Sequence, residues 1–281
     1  MKLIESKAEY IPQEEGLEGI YKQIELAGRT CYKSEDKITE DSAKGFVERM
    51  IKSKHGACLE HGTVYLKLPP CIGENEIPSS FIFLHNPYSK VSPSFDADYV
   101  TTNYRVLIEN NLLNDLQYLY SPTDFHEKRY TMRFTCSRAI AQELTRHRVF
   151  SFLMESQRYI NYSKERHGGD ITFIEPSWLK EMSYDIEEKF IESLSQAEDN
   201  YMWLVHWLQP QQARDVLPNA TKTELIMTGF ASDWRFLMDL RLFEKTGAVH
   251  PDMKDLMQKA QKAMQEAGVW EDIMSKPSKF D

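Results

Sequence analysis

The most concentrated chemistry in the chain is Arg146-His147-Arg148, followed after seven residues by Ser156-Gln157-Arg158-Tyr159. Three adjacent cationic or titratable side chains repel one another, so keeping them together asks for an anion. A guanidinium offers a planar fork that takes phosphate bidentately, and a serine hydroxyl adds a neutral donor without further repulsion. Judged alone, the triplet could equally be a solvated basic turn with His147 as a satisfied core histidine. Further arginines weaken that plainer account. Arg214 sits in the polar–apolar turn Gln211–Thr221 ahead of Pro218, and Arg241 shares a helical face with Leu237 one turn earlier. An arginine on a core-facing stripe either snorkels to solvent or meets a buried anion. Three separated arginines near polar turns in an acidic chain make a shared anionic ligand worth considering. A third cluster, His55-Gly-Ala-Cys-Leu-Glu60-His61, invites a metal, but its histidines are six apart and no HExxH pattern accompanies them. A structural or cofactor-contact role ranks well above a metal site, and no metal is expected. No Ser-His-Asp logic surrounds Ser156, which therefore reads as a ligand contact and not a nucleophile.

These residues sit in a chain of 281 residues with 34 basic and 43 acidic side chains, a formal net charge of −9, 41% hydrophobic and 12% aromatic. That is enough apolar material for a real core, and one large globular unit with an insertion suits the length. The acidic balance argues against nucleic acid or an anionic membrane surface as a partner. No apolar run approaches the roughly 18–20 residues of a membrane helix. The opening MKLIESKAEY lacks an apolar stretch, so no signal peptide is expected. Cys31, Cys58, Cys71 and Cys136 are scattered with no CxxC pair, which suits a reducing cytoplasm.

The elements that must carry the arginines follow from periodicity. Residues 13–27 and 41–54 repeat apolar side chains at helical spacing, the first stopped by Gly28. Thr63–Leu68 and Tyr130–Phe134 alternate as strands. Residues 69–128 differ in texture: a Gly73–Glu76 turn, several prolines and short β-like runs at Ser80–Leu84 and Tyr99–Ile108 read as an inserted excursion. Ser137 can cap a helix through Leu144. A long helix covers Ile186–Leu208 until Pro210; Asp233 caps Trp234–Leu242; His250-Pro251 opens the last helix, ended by Gly268. The class is α+β, with helices packed on a modest mixed or antiparallel sheet, as one domain over 1–281.

Arg146-His147-Arg148, seven residues and Ser156, then Gln157-Arg158-Tyr159, closely resembles the signature of the flavin-dependent thymidylate synthases. Arg29-Thr30-Cys31-Tyr32, Glu60-His61, Ala213–Pro218 and Leu240-Arg241 resemble further motifs of that family, in order. The resemblance covers roughly residues 15–68 and 129–267. It implies a homotetramer with active sites between subunits. Such an enzyme binds FAD and dUMP, and converts dUMP to dTMP with methylenetetrahydrofolate as carbon donor and NADPH as reductant of the flavin. By position, Arg146, His147 and Arg148 would touch FAD, together with Glu60, Phe230, Ser232 and His250. Arg146, Met154, Glu155, Ser156, Gln157, Arg158 and Arg214 would hold dUMP. Arg241 would sit by the uracil ring as the catalytic residue, a role that suits a group charged at every working pH.

The chain also departs from that pattern. Ala57 stands where a hydroxyl often meets flavin, and Phe230 where an asparagine commonly does. Glu143 replaces a glutamine before the Arg-His-Arg triplet, and Lys245 occupies the place of a flavin-contacting histidine that His250 could supply. The alternative these changes imply is a nucleotide-binding relative with weakened or lost flavin chemistry.

Overall fold

The computed structural model describes residues 1–70, 79–158, 160–164 and 169–280. Cys71, Tyr159 and the Gly73–Glu76 turn lie outside the described residues. A four-stranded antiparallel sheet organises the chain, in the order β2 (Lys7–Ile11), β6 (Arg129–Ser137), β9 (Lys222–Phe230), β7 (Ser151–Met154). Arg129 pairs with Phe230 and Ser137 with Lys222, so β6 and β9 run full length against each other.

The alternation of these strands sends side chains to two different cores. On one face Met132, Phe134, Leu225 and Met227 meet α6 (Arg138–Leu144), α9 (Ala231–Arg241), α10 (Pro251–Glu266) and α11 (Trp270–Met274), with Trp234 fully buried at the centre. Burying side chains of this size contributes about 2 kcal/mol each. On the other face Leu153 and Ile226 meet α1 (Gly16–Tyr32), α2 (Ser42–Lys52) and α3 (Gly56–Leu59). A third cluster packs Leu194 and Tyr201 of α7 (Tyr184–Leu204) on Phe173 of β8 (Thr172–Ile174), which pairs in parallel with β1 (Lys2–Ile4). The architecture is α+β.

The excursion has its own sheet, β3 (Thr63–Leu68), β5 (Asp98–Asn103), β4 (Lys90–Pro93), all antiparallel. Its strand β3 lies ahead of the change of texture at Pro69. Arg129, the first residue of β6, donates from Nη1 to the Glu60 carbonyl at 3.2 Å and to Thr63 Oγ1 at 3.3 Å. The excursion thus leaves and rejoins the main sheet at one point.

Several local expectations are corrected. Gly28 does not end α1, which continues to Tyr32 and stops at Lys33 in the left-handed region. A Cβ at Gly28 would lie 2.4 Å from the Phe46 ring, so this glycine serves close helix packing. Ser80–Leu84 belongs to a helix, α4 (Ser79–Leu84), not to a strand. Tyr99–Ile108 divides at Asn103, whose side chain accepts the Val106 amide and caps α5 (Tyr104–Glu109). The long helix stops at Leu204, and Pro210 opens the short α8 (Pro210–Ala213). Asp233 sits inside α9, accepting the Phe230 amide, and α11 follows the helix expected to be last. Ser137 and His250 cap α6 and α10 as expected, and Gly268 follows α10 with positive φ.

Candidate functional site

The pieces of the arginine signature are launched from the ends of neighbouring strands. β6 ends at Ser137, which caps α6, and α6 delivers Arg146-His147-Arg148 in the turn behind it. β9 ends at Phe230, and α9 carries the chain back to Arg241 in its last turn. β7 runs into Glu155–Arg158, and the Glu155 amide extends the pairing by donating to the Glu224 carbonyl at 2.7 Å. The basic turn is held from both sides. His147 donates its amide to Leu144 O at 3.1 Å and accepts Phe150 N–H at 3.3 Å. Phe150 in turn packs edge-on against Trp234 at 4.8 Å, over Gly229, where a Cβ would come within 2.3 Å of its ring.

His147 and Arg241 meet there, the arginine donating from Nε to His147 Nε2 at 3.3 Å. That bond requires the neutral imidazole with its proton on Nδ1. Burial, and then the Arg241 charge, push His147 down to about 4, so it stays neutral. Arg146 and Arg148 are exposed, and neither guanidinium has a hydrogen-bond or carboxylate partner among the described residues, the Arg146 amide donating to Glu143 O at 3.2 Å. Two guanidinia on one turn without counter-charge, in a chain of net charge −9, fit an anionic ligand.

The next segment is tied down firmly. Glu155 is 3% exposed; it accepts Lys222 Nζ at 2.9 Å and Tyr162 OH at 3.4 Å. Lys222, Lys33 and Arg133 converge on Glu224, and Arg133 also reaches Glu35 at 3.2 Å. Burial alone would raise the Glu224 carboxyl, but the charges of Lys222 and Lys33 hold it at about 2. Glu155 is thus a network member beside Ser156, whose own amide donates to Cys31 O at 3.0 Å. Gln157 is buried, with its side chain against the Tyr162 hydroxyl. Met154 is half-buried against the first core. Arg158 extends to Gln211 Oε1 at 3.1 Å, toward the turn that holds the half-buried Arg214.

The remaining expected flavin contacts are arranged differently. Glu60 Oε1 accepts Arg105 Nη1 at 2.6 Å, the Ser232 amide donates to Glu127 at 3.2 Å, and Lys90 Nζ lies 5.5 Å from the Phe230 ring centre. Arg105, Glu127 and Lys90 all come from the excursion. Arg129 also lies over the Phe230 ring, at 5.5 Å, and is buried with no carboxylate within 4 Å among the described residues. Burial lowers its guanidinium to about 10. Beside it His61, fully buried and pushed to about 3 by burial and by Arg129, shares its Nδ1 with Thr228 Oγ1 at 2.8 Å. Around Phe230 the Glu60 carboxylate and the Ser232 amide are engaged by the excursion, while the buried His61 Nε2 and Arg129 Nε have no hydrogen-bond partner among the described residues. His250 stands apart from both groups, exposed, accepting the Asp252 amide at the start of α10.

Sequence reasoning missed Lys33, Arg133, Lys222, Glu224 and Arg129. The legible signal was the pair Lys222 and Glu224 at strand spacing, two like-facing charges in an otherwise apolar run. Among the described residues no cluster of His, Cys, Asp and Glu could hold a metal ion, and no helix is long and apolar enough to cross a membrane.

Residues 99–267 match the sequence profile of the thymidylate synthase complementing protein family, and the chain belongs to that family. Among individual relatives, it is 31% identical over 111 residues to the flavin-dependent thymidylate synthase of Pyrococcus furiosus, covering 39% of this chain and 44% of that one. It is 27% identical over 165 residues to a probable flavin-dependent thymidylate synthase of Mycobacterium phage D29, covering 53% and 66%. The chain thus spans less than half the length of the Pyrococcus relative. A solved UMP/dUMP methylase, PolB from Streptomyces cacaoi bound with 5-Br dUMP, aligns with a TM-score of 0.48 at 15% identity over 98% of this chain and 97% of that one.

Proposed function

We propose that the chain is a flavin-dependent thymidylate synthase that converts dUMP to dTMP. The observation that carries this is the meeting of His147 with Arg241 beside two guanidinia, Arg146 and Arg148, that have no partner among the described residues. Membership of the family and the names of its relatives support the same reading.

Arg146, Arg148, Arg158 and Arg214 would bind the anionic groups of the ligands, with Ser156 and the Gln157 amide supplying neutral donors. Arg241 would stabilise negative charge at N3 of the uracil ring without losing a proton. Bound FAD, reduced by NADPH, would supply the hydride, and methylenetetrahydrofolate the one-carbon unit. A cytoplasmic homotetramer completes the reading. The exposed Trp203 and Trp207 near the end of α7 give such an assembly an apolar surface to bury.

One observation favours a second reading. Glu60, Phe230 and Ser232 are engaged by Arg105, Lys90 and Glu127 of the excursion, as in a nucleotide-binding relative that has given up flavin chemistry.

An FAD titration followed by flavin fluorescence, with and without dUMP, separates the two. Saturable quenching altered by dUMP, with dTMP formed on adding NADPH and methylenetetrahydrofolate, is the expected result. Binding of dUMP without any binding of FAD would overturn it in favour of the second reading.

A further inference from the structure

We infer that His147 is the positioning residue for Arg241: its Nε2 lone pair holds the guanidinium by the Nε edge and leaves both Nη groups for the ligand. The inference rests on the reading in which Arg241 faces the uracil ring. It goes beyond the flavin contact that the resemblance implies for His147, because it gives the imidazole a task directed at another side chain.

The choice of partner is informative. Arg241 is half-buried, yet the acids near it in sequence are taken by other groups. Asp239, fully buried, accepts Arg235 Nε at 3.2 Å and Ser278 Oγ at 2.6 Å, both at Oδ2, and its Oδ1 makes no bond to Arg241, while Glu244 pairs with Lys254 and accepts the Val249 amide at 3.3 Å. Arg241 is left with a neutral acceptor and no carboxylate among the described residues. A carboxylate there would neutralise the guanidinium and compete for the donors an anionic substrate needs. A neutral imidazole orients the group and leaves its charge intact.

The imidazole is itself well placed to orient. Its backbone is bonded on both sides, to Leu144 and Phe150, and Phe150 is wedged between Trp234 and Gly229. Arg241 ends α9, whose first turn adjoins the same strand end as Gly229. Two short elements rooted in adjacent strands therefore set the His147–Arg241 distance. Positioning of this kind matters steeply, since a displacement of about 1 Å can cost 100-fold in rate. With Nε engaged, the two Nη groups form the free side of the fork, which suits a planar edge of the ligand carrying negative charge.

The test compares His147→Leu, which removes the acceptor, with His147→Gln, whose amide oxygen can replace Nε2. Flavin occupancy is read from absorbance, and kcat and KM for dUMP from turnover. Exchange of the Arg241 Nε–H is followed by NMR on arginine-labelled protein without ligand. His147→Leu should lower kcat about 100-fold with KM changed less than about threefold, and should speed Nε–H exchange. His147→Gln should recover about tenfold of the rate and restore slow exchange. Unchanged exchange in His147→Leu, or a glutamine variant no better than leucine on both readouts, would overturn the inference. If the unmodified protein makes no dTMP, the functional reading fails by itself. The exchange pattern then decides the positioning role: slow in wild type and His147→Gln with fast in His147→Leu supports it, and any other pattern refutes it.

Discussion

Two regions of the same sheet carry the residues expected to meet ligands, and they have opposite electrostatic economies. At Arg146, Arg148 and Arg241 no guanidinium has a carboxylate within ion-pair distance among the described residues, and Arg241 meets a neutral histidine. Around Glu60, Phe230 and Ser232, groups are paired with Arg105, Lys90 and Glu127 of the excursion. The first region leaves the Arg146 and Arg148 guanidinia unpaired among the described residues, while the second pairs Glu60 and the Ser232 amide internally and leaves only His61 Nε2 and Arg129 Nε among its named buried groups without partners. Hydrogen-bonding groups already satisfied within the fold have less to gain from a ligand, whereas unpaired cations retain their attraction for one. The difference shows that residues matched by type can differ in how far the fold has already paired them.

The largest effect is expected at the first region: Arg241→Ala should reduce dTMP formation about 1,000-fold or more while the protein stays assembled, as judged by sedimentation and melting. Near-normal turnover would remove Arg241 from the chemistry. Next comes the second region. Arg129→Met would strip the Glu60 carbonyl, Thr63 and Ser151 of a shared donor and should destabilise the fold by about 3 kcal/mol, seen as a lowered melting temperature. A loss below about 0.5 kcal/mol would show that Arg129 does not tie the excursion to the main sheet.

Acid should distinguish the groups further. The His61 imidazole falls from 6.5 to about 3 on folding, so the unfolded chain takes up its proton first and stability declines as pH falls through that interval. His147, lowered from 6.5 to about 4, adds to the same decline. Glu224 falls from 4.5 to about 2; its contribution is present above 4.5 and is lost as pH drops toward 2. His61→Asn, which can keep the Thr228 hydrogen bond, should flatten the melting-temperature profile between about pH 6.5 and 4.5. Glu224→Gln should flatten it only below about 4.5; identical profiles for both variants would refute the assignment. The smallest effect is expected from Lys90→Ala, which should shift stability by less than about 1 kcal/mol and tighten FAD binding about two- to fivefold by loosening the cover on Phe230. Unchanged affinity would place Phe230 outside any flavin site.

Much of the scaffold was legible because local chemistry decides it. Ser137 ahead of an apolar run capped α6, and His250-Pro251 opened α10, both through hydrogen bonds spanning two or three residues. The misreadings share a cause in long-range packing. Gly28 looks like a helix stop until Phe46 is seen to need the space a Cβ would fill. Ser80–Leu84 has the composition of a strand, yet it forms a helix whose Phe83 enters the core beneath the excursion. The network that joins Glu155 to Lys222 and Lys33 likewise follows no local pattern.

The family and the α+β class could be read from the amino-acid sequence, because spaced motifs and amphipathic periods are properties of the chain, and the same motifs singled out the arginines proposed to carry the chemistry. Tertiary structure alone decided which of those residues remain available. His147 and Arg241 are 94 positions apart and meet only because α6 and α9 return over adjacent strands. Lys90 reaches Phe230 only because the excursion closes its own sheet and rejoins the main one at Arg129. Hydrogen bonds and screened charges act over a few ångströms, so their partners are chosen by folded proximity and not by separation along the chain.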